Sequence, residues 1–70
     1  MKLFEIIIDN IKYDYIDSVK LDGKDYVAYK DAENIYISEY VIVDNKINFK
    51  EVDEETIKKV REAMKIWIIQ

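Results

Sequence analysis

The sequence contains no cysteine, no histidine and no proline, and its 70 residues include a single glycine. Without cysteine there is no disulfide framework, no zinc–thiolate centre and no thiol nucleophile. Without histidine there is no imidazole base or imidazole metal ligand. Ser18, Ser38 and Thr56 therefore lack the partner that most often activates a hydroxyl. One glycine is too few for the glycine-rich loops that cradle phosphates. No apolar run approaches the ~20 residues needed to span a bilayer. The opening Met1-Lys2-Leu3-Phe4-Glu5 meets an acid at once, which is not a secretory signal pattern. Positive charge is also in deficit, with 15 acidic and 11 basic side chains and a net charge of −4. Such a surface repels phosphate backbones, so direct nucleic-acid binding is not expected. These absences lead to the expectation of one soluble, cytoplasmic domain spanning residues 1–70. A chain this short buries only roughly 60% of its unfolded surface, but with half its residues hydrophobic it can build a modest core.

The one glycine lies in the stretch Val19-Lys20-Leu21-Asp22-Gly23-Lys24-Asp25-Tyr26-Val27-Ala28-Tyr29. Asp-Gly tolerates the positive φ angles of a two-residue type I′ turn, whose twist matches that of the flanking strands. With Asp22 and Gly23 as the loop, Leu21 faces Lys24, Lys20 faces Asp25, Val19 faces Tyr26 and Ser18 faces Val27. Lys–Asp and Val–Tyr are favourable cross-strand pairs of about 0.2–1 kcal/mol each. A slip of one residue would exchange the faces and lose both.

On either side the strand pattern continues. Residues 3–9 are dense in β-branched and aromatic side chains, and Asp9-Asn10 reads as a second two-residue turn. It sets Ile8 against Ile11, Ile6 against Tyr13 and Phe4 against Tyr15, with Glu5 unfavourably opposite Asp14. Residues 11–21 form a long strand whose alternation is broken by Ile16, so a bulge is expected near Ile16-Asp17-Ser18. Strands at 24–30, 35–43 and 46–52 follow, the last two joined by Asp44-Asn45, which sets Ile42 against Ile47, Tyr40 against Phe49 and Glu39 against Lys50. From Asp53 the period becomes helical. Asp53 is placed to cap the helix, and Glu54 and Glu55 suit its positive end. Val52 and Ile57 stand at hydrophobic-staple positions. Ile57, Val60, Met64 and Trp67 form an apolar stripe, widened by Ala63 and Ile68, along a helix over 54–67. The expected fold is α+β: an antiparallel β-meander of about five strands with one C-terminal α-helix packed on one sheet face.

The run Ile16-Asp17-Ser18, followed by Leu21-Asp22-Gly23-Lys24-Asp25-Tyr26-Val27-Ala28, resembles the core pattern of the YrzB-like domain-of-unknown-function family, small acidic proteins of Gram-positive bacteria. Ile35-Tyr36-Ile37 resembles that family's aromatic strand. Glu51-Val52-Asp53-Glu54-Glu55 resembles its acidic segment near the C-terminus. Two features depart from it: the connection Asp31 to Asn34 is shorter than the family's acidic loop, and Ile66-Trp67-Ile68-Ile69 is more apolar. The resemblance implies a fold and carries no activity, cofactor or site residue.

No catalytic, cofactor-binding or metal-ligating set emerges. Glu51 to Glu55 lack the glycine-containing loop that supplies calcium with six to eight oxygens. Paired carboxylates could serve as acid and base, but no spacing among Asp14, Asp17 and Glu39 fixes a separation. The six tyrosines, at 13, 15, 26, 29, 36 and 40, could stack single-stranded bases, yet no basic stripe accompanies them. Apolar residues occur at both strand parities, whereas one helix covers one face. The second face, or an edge, is therefore expected to meet another protein surface. This makes the chain a non-catalytic protein-interaction module that binds a protein partner or itself as a homodimer, without membrane or cofactor. Its candidate interaction surface is Tyr29, Tyr36, Tyr40, Trp67 and Ile69. The alternative is a small acidic inhibitor that occupies the basic nucleic-acid groove of an enzyme, since complementary charge speeds association.

Overall fold

The structure, a computed structural model, describes residues 6–64. Five strands, β1 (Ile6–Ile8), β2 (Ile11–Leu21), β3 (Lys24–Lys30), β4 (Ile35–Val43) and β5 (Lys46–Lys50), precede one helix, α1 (Glu54–Met64). The strands form a single antiparallel meander in chain order, β1-β2-β3-β4-β5. The three two-residue turns take left-handed geometry, with positive φ at Asp9, Asn10, Asp22, Gly23, Asp44 and Asn45. Only aspartate, asparagine and glycine occupy these positions, the residue types that tolerate such angles best.

The registers follow from those turns. Lys20 pairs with Asp25 and Val19 with Tyr26, and the Lys20 ammonium approaches the Asp25 carboxylate at 3.4 Å. Ile8 pairs with Ile11 and Ile6 with Tyr13. Ile42 faces Ile47, Tyr40 faces Phe49 and Glu39 faces Lys50. The expected bulge sits between Tyr15 and Asp17, where Ile16 is the extra residue. It re-aims β2: Tyr13 and Tyr15 pack on one face of the sheet, while Ile16, Val19 and Leu21 pack on the other.

Some boundaries differ from the sequence expectation. Asp9 belongs to the turn, and β5 ends at Lys50 rather than residue 52. The expected positions 3–5 of the first strand and 65–67 of the helix lie outside the described residues. Helix α1 begins as expected: the Asp53 carboxylate accepts from the Thr56 amide at 3.0 Å, and the Asp53 carbonyl accepts from the Ile57 amide at 2.9 Å. Val60 and Met64 are buried, but Ala63 is exposed and adds nothing to the apolar stripe.

Two apolar clusters result. Under α1, Val60 and Met64 pack with Tyr26, Ala28 and Ile37, flanked by Ile16, Val19, Leu21, Val52 and Ile57. On the opposite face Ile6, Val27 and Tyr29 are buried, with Ile8, Tyr13, Tyr15, Tyr36, Tyr40 and Phe49 against them. This second cluster corrects the expectation of an open apolar face. Strand twist and the bulge curl the sheet almost into a barrel, and its concave face fills with its own aromatic side chains.

Candidate interaction surface

The concave face is a tyrosine cluster built by strand register. Tyr29 on β3 stands opposite both Tyr15 on β2 and Tyr36 on β4. The Tyr29 and Tyr36 rings stack with centroids 5.5 Å apart, and Tyr13 meets them edge-on at 5.0 and 5.5 Å. Edge-to-face and offset geometries suit the quadrupoles of aromatic rings. Tyr29 also touches Phe49 of β5 at 6.2 Å. Several of the polar tips have a partner. The Tyr29 and Ser38 hydroxyls lie 2.6 Å apart in the interior, and those of Tyr15 and Ser18 lie 3.0 Å apart. Among the described residues no buried side-chain polar atom lacks a partner.

One tyrosine ties the cluster to a loop. The Tyr36 hydroxyl donates to Asp31 at 2.9 Å, while the other Asp31 oxygen accepts from the amides of Glu33 and Asn34. Those two amides, with the Tyr36 hydroxyl, hold the Asp31 carboxyl below its ordinary value. The same contact raises the Tyr36 phenol. Burial raises Tyr40, helped by the nearby Asp25 charge. At the helix start, Thr56 lowers Asp53 through its hydroxyl and its amide. These shifts keep the two phenols neutral and the two carboxylates ionised near neutral pH.

The structure therefore separates the residues first assigned to an interaction surface. Tyr29 is only 6% exposed, so it is a core residue. Tyr36 and Tyr40 are half-buried on the rim of the concave face. Trp67 and Ile69 lie outside the described residues. The exposed apolar side chains are others: Ile7 (51%), Ile11 (52%), Ile42 (65%) and Val43 (52%). All four belong to the outer hairpins β1–β2 and β4–β5. Strand alternation carries a signal for Ile7. It lies between two residues that face inward, so its side chain must point out. The run of three isoleucines masks that signal when only hydrophobicity is read.

The clefts offer little enclosure. One of about 430 Å³ lies open between the β3–β4 loop and α1, where Lys30 and Arg61 mix with Asp31 and Glu33. Another of about 340 Å³ lies beside Ile35, Ile37, Ile57 and Arg61. Among the described residues no group of three or more acidic side chains is placed to hold a metal ion, and no helix is long and apolar enough to cross a membrane. No family model, no curated protein and no solved structure matches the chain.

Proposed function

We propose that the chain is a non-catalytic, cytoplasmic protein-interaction module that associates with itself. The observation that carries this reading is the position of its exposed apolar residues. Ile7, Ile11, Ile42 and Val43 are all at least half exposed and all lie on the hairpins that end the sheet. Among the described residues each sheet face carries a packed cluster, and the exposed apolar side chains lie on the outer hairpins that flank the strand edges. Strand edges with apolar flanks are templates for pairing with another strand. The open, mixed-charge clefts fit this reading better than a small-molecule site, which normally encloses most of its ligand.

The acidic-inhibitor reading draws less support, because acids and bases are interspersed. Lys20 is paired with Asp25, Glu39 faces Lys50, and the cleft between the β3–β4 loop and α1 mixes both signs.

The test is solution mass by light scattering over a concentration series. The expected result is a species of twice the 8.4 kDa chain mass, with dissociation on dilution. A single monomeric mass throughout would contradict the reading.

A further inference from the structure

We propose that two copies pair through their β1 strands, Ile7 opposite Ile7 about a two-fold axis, so that two five-stranded sheets become one. This inference rests on the self-association reading and specifies which edge performs it.

The two edges of the sheet, β1 and β5, are not equivalent. Residues flanking a two-residue hairpin loop exchange both backbone hydrogen bonds, and bonded and non-bonded pairs then alternate. In β1 this turns Ile8 and Ile6 toward β2, where they face Ile11 and Tyr13. The amide and carbonyl of Ile7 point outward. In β5, Lys46, Asn48 and Lys50 bond toward β4, and Ile47 and Phe49 present their backbone groups outward.

Symmetric pairing has different consequences at each edge. For β5, the one register that engages both outward residues sets Ile47 against Phe49 of the second copy. It also sets Lys46 opposite Lys50 twice. Like charges directly opposite are unfavourable, and lysines along an edge are a recognised protection against pairing. For β1, Ile7 exchanges both of its bonds with Ile7 of the second copy. Ile6 then faces Ile8 of that copy, on the concave side where both already pack against the aromatic cluster. None of the three side chains is charged. The half-exposed Ile7 side chain meets its own copy on the convex side. Ladder pairing closes at this size because Asp9 leaves the strand with φ of 53°. Pairing of β1 with β5 of another copy would be head-to-tail, which builds rings or open filaments rather than an isologous dimer.

The chain has no cysteine, so a single introduced thiol reports one position without ambiguity. Alpha carbons of a hydrogen-bonded antiparallel pair lie about 5.5 Å apart, a spacing a disulfide can bridge. Ile7→Cys, Asn48→Cys and Ile42→Cys are oxidised mildly at a concentration where the wild-type mass is dimeric, then resolved on a non-reducing gel. The expected result is that most of Ile7→Cys becomes a covalent dimer while the other two remain largely single chains. Faster linking of Asn48→Cys or Ile42→Cys, or no linking of Ile7→Cys in a dimeric protein, overturns the choice of edge and leaves self-association standing. A wild-type protein that is monomeric throughout overturns both.

Discussion

Tyr29 joins ring packing to a buried hydroxyl contact in one side chain. Its ring is stacked on Tyr36 and met edge-on by Tyr13, and its hydroxyl lies 2.6 Å from that of Ser38. Tyr29→Phe keeps the ring but strands the Ser38 hydroxyl, which is only 8% exposed. The expected loss is about 1–3 kcal/mol, read by urea denaturation. Asp31 makes a pH-dependent contribution. Its carboxyl is held below the ordinary value of 3.8 by the Glu33 and Asn34 amides and the Tyr36 hydroxyl. A lowered folded-state value means that the stabilisation is complete above the unfolded value and disappears as pH falls through the lowered one. Asp31→Asn should therefore lower stability near neutral pH, and the difference from wild type should shrink in acid. Denaturation midpoints of both proteins, measured near neutrality and well below 3.8, check this.

Among the elements, the hairpins were the most legible in the sequence. Asp9-Asn10, Asp22-Gly23 and Asp44-Asn45 punctuate the strands with residues suited to positive φ, and each turn then fixes its register. Gly23 has φ of 79° with nothing within 4 Å of where a Cβ would stand, so substitution there meets backbone strain rather than collision. Gly23→Ala should cost about 1–2 kcal/mol for the left-handed conformation alone, visible as a lower urea midpoint at unchanged slope. The bulge was legible too, because Ile16 breaks the alternation of Tyr13 and Tyr15 against Val19 and Leu21. For α1, the cap at Asp53 and the inward positions Val60 and Met64 followed from spacing. Met64→Ala should cost about 2–5 kcal/mol, as buried methionine truncations do. The exposure of Ala63 was not legible, because its three-residue spacing from Val60 allows either side of the stripe.

For the molecule as a whole, the pattern of apolar residues showed which side chains share a face but not what each face meets. Parity is the same for a flat sheet and a curled one. An apolar second face therefore read as a docking surface, although curvature lets Tyr13, Tyr29, Tyr36 and Phe49 satisfy one another within the chain. Curvature depends on how twist accumulates across five strands and on the bulge, both properties of the assembled sheet. Among the described residues the exposed apolar side chains lie on the outer hairpins, Ile7 on β1 being half exposed.

Amide hydrogen exchange at Ile7 and Ile47, followed at two protein concentrations, tests this account most directly. By ladder alternation both amides point away from the strand beside them, so neither bonds to its own sheet. Self-association through β1 should slow exchange at Ile7 as concentration rises and leave Ile47 fast. Exchange at Ile7 that is fast and independent of concentration would contradict it.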